Sequence, residues 1–334
     1  MLWFVGLGIS GVSELSDNAI SVIKNADVVY LESFTSPISE TEKVQLENMC
    51  DGEFKIAKRW IVEDGNEILE NAKKKKTVLI SYGDPYIATT HLELKTRAIT
   101  DKIETNTIHS SSIISSLIGE IGLQYYKVGK ILTIMNDPKS MITPYNTIFN
   151  NLLSKMHSII LLEYNEDKSF FLEPQNALSL LLDAEKTQNG KIISSDTFTI
   201  VASRIGKSDQ MITSGKISNL IKKEYGEPPH TIIIPGSLHF TESNAIKVVT
   251  KCLDEPFDNS TNVKGVSEQM IEKYVPMVRE ALNEIKPHYE NLKEYEDVLI
   301  NAKLYIDDAE NFLKEGKKEY AVLSIGYADG LVDA

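Results

Sequence analysis

Short apolar runs alternate with segments of helical spacing up to about residue 235. Apolar positions recur every three or four residues between Ser16 and Lys24 and between Pro174 and Glu185, which predicts helices there. Runs that predict strands each stop at a polar or glycine-containing turn, and they lie at 2–6, 27–31, 77–81, 158–162, 197–203 and 231–235. Strands that alternate with helices in this way predict an α/β protein with largely parallel sheets.

A Ser-rich stretch between His109 and Gly119 follows the first block of this alternation. A domain boundary is therefore expected close to residue 112, with an N-terminal α/β domain at 1–111 and a second α/β domain at 112–253. The next stretch, at 254–266, is polar and contains proline, glycine and asparagine. Such a composition is typical of a linker.

The spacing of apolar residues changes completely after this linker. Three stripes at helical spacing follow, at 271–285, 298–313 and 320–331. The first is expected to end before Pro287, and Pro276 inside it predicts a kink or a later start of the helix. Amphipathic helices joined by short turns predict a small antiparallel helical domain at 267–334.

Charge and composition exclude several classes of function. The net charge of −13 argues against a nucleic-acid partner, which needs a basic face. The 2 cysteines and 6 histidines have neither metal-ligand nor disulfide-framework spacing, so no metal is expected. No apolar run reaches the ~18 residues of a membrane span, and Met1–Gly6 is typical of a strand rather than a signal peptide. We therefore predict a cytoplasmic protein without a membrane partner.

The predicted helical domain differs from the rest of the chain in charge as well as in spacing. From Gly265 onward, 8 basic residues stand against 15 acidic ones, a net charge of −7. This is more than half of the charge of the whole chain. The segment is therefore interpreted as a separate unit.

Glycines after the first predicted strand match a nucleotide-binding pattern. Residues 6–11, Gly-Leu-Gly-Ile-Ser-Gly, fit G-x-G-x-x-G, and Glu32 lies near the place where a ribose-binding carboxylate would follow the second strand. Against a dinucleotide site, residues 10–17 are polar rather than the immediate start of a helix. From this stretch alone two interpretations stay open, a binding site for a nicotinamide cofactor and glycines that serve only a tight turn.

The turn after the strand at 77–81 carries the most informative residues. Gly83, Asp84 and Pro85 place a carboxylate at the carboxyl end of a strand, where ligands bind in parallel sheets. Gly83 permits close backbone approach, and Pro85 stiffens the turn. The Ala-Thr-Thr-His that follows is not needed for any turn. Its His91 could cap a helix or contact a substrate.

Several segments together resemble the motifs of the diphthine synthase family, in the family's order and over roughly residues 1–253. The Gly-Asp-Pro element alone would indicate only the wider tetrapyrrole-methylase fold, whereas the segments at 31–36 and 88–91 narrow the resemblance. Residues 9–14 and Ser203 depart from the family's pattern. The matching segments are GLGI at 6–9, LESFTS at 31–36, GDPYIATTH at 83–91, HSSSI at 109–113, GLQYYKVG at 122–129, ASRIG at 202–206, PHTIIIPG at 229–236 and LHF at 238–240.

This resemblance implies a fold and an activity. The expected fold has two α/β/α domains with a cofactor cleft between them, to which this chain adds a helical bundle. The implied enzyme is a homodimer that transfers methyl groups from S-adenosylmethionine to the amino group of a modified histidine of translation elongation factor 2, giving a trimethylammonium. Such chemistry needs no metal, and no general base is assigned. The implied cofactor contacts are Ile9, Asp84, Ile87, Ser112, Ile113, Leu162, Ile205 and His230.

The C-terminal helices resemble a small archaeal domain of unknown function that ends in Tyr-Ala-x-Gly-x-x-Asp-Ala, as residues 327–334 do. This implies an archaeal source and says nothing about activity. Three other functions stay open at this point. One is a corrin-ring methyltransferase of cobalamin synthesis, which shares fold and cofactor. The others are a dehydrogenase that uses the glycine pattern and a non-catalytic interaction protein that works through its helical domain.

Overall fold

The protein divides into two compact units, Met1–Thr261 and Asn262–Ala334. The structure is a computed structural model that describes residues 1–289, 292–293 and 295–333. Within those ranges no helix is both long and apolar enough to cross a bilayer.

The first unit begins with a five-stranded sheet in which every neighbouring pair is parallel. Its strand order is β3-β2-β4-β1-β5. The strands are β1 (Leu2–Gly6), β2 (Val28–Glu32), β3 (Glu53–Ala57), β4 (Thr77–Ser81) and β5 (Thr105–Ile108). The helices that connect them are α1 (Asp17–Lys24), α2 (Glu40–Met49), α3 (Arg59–Asp64), α4 (Asn66–Lys74) and α5 (His91–Thr100). The strands and the helix expected at 2–6, 27–31, 77–81 and 16–24 are confirmed to within a residue or so.

Alternate side chains of the central strands point to opposite faces of this sheet, and each face has its own core. Leu2 and Phe4 pack on the side of α3, α4 and α5, whereas Val5 packs on the side of α1 and α2. Strands buried on both faces need apolar residues at every position. This explains the continuous apolar run at the start of the chain.

A second sheet of six strands follows, in the order β13-β11-β10-β12-β7-β6. Its strands are β6 (Leu132–Ile134), β7 (Ser158–Leu162), β10 (Phe198–Ser203), β11 (Met211–Lys216), β12 (His230–Ile234) and β13 (Lys251–Cys252). The small hairpin of β8 (Tyr164–Asn165) and β9 (Phe170–Phe171) stands apart. The helices are α6 (Ile113–Ile121), α7 (Ile142–Leu153), α8 (Pro174–Gln188), α9 (Ile217–Leu220) and α10 (Phe240–Val249).

The second sheet is mixed, so the expectation of largely parallel sheets is wrong for this half. β10 pairs antiparallel with both β11 and β12, and β12 pairs antiparallel with β7. Only seven residues separate β10 from β11. A parallel pair needs a crossover of a dozen residues or more, so this short connection can only make an antiparallel hairpin.

Helix α6 packs on the second sheet, although it directly follows the last strand of the first. Leu117, Ile118 and Ile121 share a core with Ile200 and Ile233. The chain thus passes from one sheet to the other between Ile108 and Ile113. The division into domains at residue 112 stays a prediction, because both sheets belong to one compact unit.

One buried carboxylate ties three parts of the second half together. Glu242 lies near the start of α10 and is 1% exposed. Its carboxylate accepts hydrogen bonds from the ammonium of Lys127 and from Nε2 of His157 at 3.0 Å. It also accepts from the backbone amides of Gln124 and His239. Burial alone would raise the pKa of Glu242, but these four donors lower it to about 2. Nδ1 of His157 accepts from the amide of Gly236, which fixes the tautomer. We call Lys127, His157 and Glu242 the buried charge cluster.

The expected linker at 254–266 is partly held to the second sheet. Asp254 accepts hydrogen bonds from the amide of Lys216 and the side chain of Asn219. The side-chain amide of Asn259 bonds both backbone groups of Phe198. The start of this segment is therefore ordered by specific contacts.

The second unit is a three-helix bundle of α11 (Val266–Tyr289), α12 (Glu296–Lys314) and α13 (Lys318–Asp333). Ile271, Val278, Ile306 and Ile325 belong to its core. Helix α11 continues through Pro287, so the expected end before that residue is wrong. Proline removes one intrahelical hydrogen bond, and so close to the C-terminus of the helix this loss does not end it. Pro276 does not delay the start of α11 either.

Candidate functional site

A cavity of about 300 Å³ lies where the strands of the first sheet end. The loops after β1, β2, β3 and β4 contribute Ile9, Thr35, Arg59 and Asp84, and the second sheet supplies the opposite wall. Ligands of parallel sheets bind beyond the carboxyl ends of the strands, because loops from several strands converge there. This cavity is therefore the candidate site.

Two glycine turns interlock at the base of this cavity. The amides and carbonyls of Gly8 and Gly83 exchange hydrogen bonds of 3.1 and 3.0 Å, and both residues have left-handed φ angles, +74° and +70°. A Cβ on Gly6 would lie 2.5 Å from the carbonyl oxygen of Gly83. Only glycine permits this approach, which brings the loop of Ile9 beside that of Asp84.

The Asp84 carboxylate is almost buried and makes three hydrogen bonds. Oδ1 accepts from the amide of Tyr86 at 3.0 Å, and Oδ2 accepts from the amide of Ser110 at 3.3 Å. Nδ1 of His109 lies 2.7 Å from Oδ2. The carboxylate thus joins the ends of β4 and β5 and presents a fixed negative group at the cavity wall.

All eight residues that the sequence predicts as cofactor contacts line this one cavity. Ile9, Asp84, Ile87, Ser112 and Ile113 come from the loops of the first sheet and the start of α6, and Leu162, Ile205 and His230 come from the second. The structure brings these residues together from positions up to 221 apart in sequence. Their contact with a cofactor stays a prediction.

Comparisons with known proteins agree with this geometry. The family model of tetrapyrrole (corrin/porphyrin) methylases matches residues 1–221. The chain is 33% identical to the diphthine synthase of Methanothermobacter thermautotrophicus over 246 residues, which is 73% of this chain and 93% of that protein. It is 34% identical to that of Methanocaldococcus jannaschii over 252 residues, 74% and 98% of the two chains. The chain belongs to the diphthine synthase branch of the tetrapyrrole methylases.

A solved structure and a second family model complete these comparisons. The chain is similar to a crystal structure of a diphthine synthase with a TM-score of 0.66 and 29% identity, covering 75% of this chain and 96% of that one. Residues 273–334 match a family described as a protein of unknown function, DUF357. The diphthine synthase part therefore lies in the first unit, and the additional helices correspond to the second match.

His91 from the diphthine synthase motif is fully buried and does not line the cavity. Its Nδ1 donates to the carbonyl of Pro85 at 2.9 Å, and the hydroxyl of Thr89 donates to the same oxygen at 2.6 Å. Burial lowers the pKa of His91 to about 4, so the ring is neutral at physiological pH. His91 thus holds the Gly-Asp-Pro turn in place; it neither caps helix α5, whose N-cap is Thr90 without a side-chain hydrogen bond, nor lines the cavity, so neither predicted role is supported.

His230 is also neutral, and it carries an unused polar atom. Nδ1 lies 2.8 Å from the hydroxyl of Ser203, while the buried Nε2 has no hydrogen-bond partner within the described residues. Burial, with the positive charge of Arg204, lowers the pKa of His230 to about 4. Ser203 departs from the family's pattern, yet it orients this ring. An unpaired buried nitrogen beside a cavity is available to a ligand.

The cavity is also lined by residues that the sequence did not assign as cofactor contacts. Phe34, Thr35 and Ser36 follow β2, Arg59 begins α3, and Tyr164 belongs to the β8–β9 hairpin. The guanidinium of Arg59 lies 4.8 Å from the Phe34 ring centroid. The LESFTS segment was a signal for the first three residues. Arg59 and Tyr164 belong to none of the sequence motifs described above.

Glu32 does not take the ribose-binding position that the glycine pattern suggested. Its carboxylate is 1% exposed and accepts hydrogen bonds from the backbone amides of Phe34 and Thr35. A carboxylate engaged in this way is not free to bind a ribose. A dinucleotide site at the glycine pattern would therefore lack the carboxylate that binds the ribose.

Proposed function

We propose that this chain is an S-adenosylmethionine-dependent methyltransferase that methylates the amino group of the modified histidine of translation elongation factor 2, in diphthamide biosynthesis. The single observation that carries this proposal is the convergence of all eight predicted cofactor contacts on one cavity in a chain of the diphthine synthase family. We further propose that it adds three methyl groups and works in the cytoplasm of an archaeon.

The residues of the cavity fit S-adenosylmethionine. Ile9, Ile87 and Ile205 offer apolar surface of the kind that a flat adenine needs. The Asp84 carboxylate and the unpaired Nε2 of His230 offer polar groups for the ribose or the amino-acid end. When bound, the cofactor would supply a methyl group already activated by its sulfonium.

The protein would contribute chiefly position and exclusion of water. An amine is a good nucleophile once it is neutral, and holding it in line with an activated methyl group removes most of the entropic barrier. Such a reaction needs neither a metal nor a nucleophilic side chain. Within the described residues no group of three His, Cys, Asp or Glu side chains could hold a metal ion.

Transfer of a labelled methyl group to elongation factor 2 tests the proposed function directly. The factor must carry the modified histidine before its amine is methylated, and unmodified factor serves as the control acceptor. We expect label only on the modified factor, together with S-adenosylhomocysteine binding in calorimetry. Label on a precorrin instead would favour the corrin-ring alternative. The relatives at 33–34% identity are diphthine synthases, so the protein acceptor is proposed.

We expect the enzyme to be a homodimer. The resemblance to diphthine synthases implies a dimer, and closed two-fold symmetry is the commonest arrangement of soluble oligomers. Light scattering at micromolar concentration should give twice the 37.4 kDa of one chain. A mass of one chain under these conditions would contradict the proposal.

We expect the helical unit to be dispensable for methyl transfer. It has a core of its own, and all eight predicted contacts lie in the first unit. A chain that ends at Asn262 keeps the contacts of Asp254 and Asn259 with the second sheet. It should bind S-adenosylhomocysteine within about threefold of the full chain, a difference of ~0.6 kcal/mol.

Kinetics on the shortened chain separate this expectation from its alternative. The full chain, assayed in parallel, is the control. A large loss in kcat/KM with unchanged cofactor affinity would show that the helices help to hold the protein substrate. In that case the division between catalytic and helical parts would be wrong.

A further inference from the structure

One buried carboxylate reaches the cavity only through a hydroxyl group. Oε1 of Glu32 accepts hydrogen bonds from the amides of Phe34 at 2.8 Å and of Thr35 at 2.6 Å. Oε2 accepts from the hydroxyl of Thr35 at 2.7 Å. Thr35 lines the cavity, whereas Glu32 lies behind it and is 1% exposed. The pair therefore joins the cavity to a buried carboxylate.

The direction of the second hydrogen bond decides what Thr35 can do for a ligand. A hydroxyl has one proton and two lone pairs. Because the proton of Thr35 goes to Glu32, the oxygen can act only as an acceptor toward the cavity. A ligand that matches it must donate a proton, as an amine or an ammonium does.

The surroundings of Glu32 favour a carboxylate that can take up a proton. Burial raises the pKa of Glu32, the hydrogen bonds from Thr35 and Phe34 lower it, and the negative charge of Glu166 raises it further, with a net rise. Burial raises the pKa of the Tyr164 phenol, and the negative charges of Glu166 and then Glu32 raise it further. The guanidinium of Arg59, another charged group that lines the cavity, lies 4.8 Å from the Phe34 ring centroid.

We propose that Thr35 and Glu32 form a relay that removes the proton from the acceptor amine. The relay assigns a general base to the reaction, and it rests on the function proposed above. Thr35 is the catalytic residue that touches the substrate, and Glu32 acts through it. The first and the second transfer each leave a positively charged amine that cannot attack again until it loses a proton, so a group that accepts this proton would speed repeated methylation of one nitrogen.

Bonds and protons balance in each cycle. The nitrogen lone pair forms a bond to the methyl carbon, the bond from that carbon to sulfur breaks, and the sulfonium becomes a neutral thioether. After the first and the second transfer (the third gives a quaternary ammonium, which has no N–H proton) the ammonium gives its proton to the oxygen of Thr35, and the hydroxyl proton of Thr35 passes to Oε2 of Glu32. The carboxyl group is now neutral, and it returns the proton to water by the same path.

Replacing Glu32 with glutamine tests the relay with little change of shape. The amide oxygen of Glu32→Gln can still accept from the two backbone amides. Its nitrogen, however, donates to Thr35 and takes up no proton. We expect kcat at neutral pH to fall about 10²-fold or more, and mass spectrometry should find the acceptor stalled after the first methyl group. The deficit should shrink as pH rises, because solution then neutralises the amine.

Glu185→Gln is the matched control. Like Glu32, Glu185 accepts hydrogen bonds from backbone amides, here the three of Lys191, Ile192 and Ile193, and from one hydroxyl, that of Tyr145, but it does not line the cavity. This variant should keep the wild-type pH profile and number of methyl groups. An equal loss in both variants would overturn the relay, since loosening of a loop would then explain it.

Variants of Thr35 test the hydroxyl itself. Thr35→Val keeps the shape without the hydroxyl and should match Glu32→Gln, whereas Thr35→Ser should stay within about threefold of wild type. All of these variants should bind S-adenosylhomocysteine within the same margin. If Thr35→Val transfers as well as Thr35→Ser, or Glu32→Gln completes all methylations at wild-type rate, the relay is wrong. A wild-type chain that transfers no methyl group would instead overturn the proposed function and the relay with it.

Discussion

Replacing Asp84 with alanine should weaken S-adenosylhomocysteine binding about tenfold or more while the chain stays folded. The carboxylate is buried to within 9% of its surface and makes three hydrogen bonds at the cavity wall. A charged hydrogen bond to a ligand contributes ~1–3 kcal/mol, and tenfold corresponds to ~1.4 kcal/mol. Alanine also releases the amides of Tyr86 and Ser110, which adds to the loss. Calorimetry measures the affinity, and circular dichroism checks the fold.

Asp258→Ala is the matched control for this change. Its Oδ1 accepts from the amide two residues later, at 2.9 Å, as Oδ1 of Asp84 does at 3.0 Å. Asp258 does not line the cavity, so this variant should bind the ligand as the wild type does. Binding by Asp84→Ala within about threefold of wild type would contradict the assignment of the site, since the difference would be only ~0.6 kcal/mol.

Acid should destabilise the first unit strongly between pH 6.5 and pH 4. His91 and His230 are buried, and burial lowers the pKa of each to about 4 from the usual 6.5. Below pH 6.5 the unfolded chain therefore binds protons that the folded chain does not, and the free energy of unfolding falls until pH 4. The lowering of the pKa from 6.5 to about 4 corresponds to a loss of about 3 kcal/mol in the free energy of unfolding for each histidine.

Urea unfolding at several pH values measures this loss. Both tryptophans, Trp3 and Trp60, lie in the first unit, so their fluorescence follows that unit alone. His91→Gln removes one titrating group and should make the dependence shallower, while His230 and the buried His157, whose pKa burial also lowers, still contribute. His288→Gln, at an exposed position of the second unit, should leave it unchanged. Equal slopes in wild type and His91→Gln would show that the buried ring does not titrate as described.

Sequence alone predicted three of the five strands of the first sheet, β1, β2 and β4, because these strands are continuous apolar runs that end in turns. β1 and β4 were expected to within a residue, and Gly83 was expected to permit a close backbone approach, which the structure shows to be that of Gly8. The antiparallel pairing of β10 was not, since an apolar run has the same composition in either direction. α11 likewise passes Pro287, because the hydrogen bond lost there lies in the last turn of the helix, which ends at Tyr289.

The residues of the candidate site were likewise predicted only in part from the sequence. The eight predicted contacts follow from the family resemblance, and the structure gathers them in one cavity. Arg59 and Tyr164 reach the same cavity from the end of β3 and from a hairpin, so only three-dimensional proximity identifies them. Glu32 was noticed as a carboxylate at the end of β2, but which way it points depends on the turn at Phe34 and Thr35.

The buried charge cluster limits which substitutions this chain can accept during evolution. Loss of Glu242 alone would leave the buried ring of His157 and the partly exposed ammonium of Lys127 without their acceptor, and a buried donor left without its partner costs ~1–3 kcal/mol. That is an appreciable part of the ~5–15 kcal/mol by which a typical protein is stable. A descendant that replaces one of the three should therefore carry compensating changes at the other two. Homologues should therefore keep all three residues or replace them together, and homologues in which only one of the three positions differs should be rare.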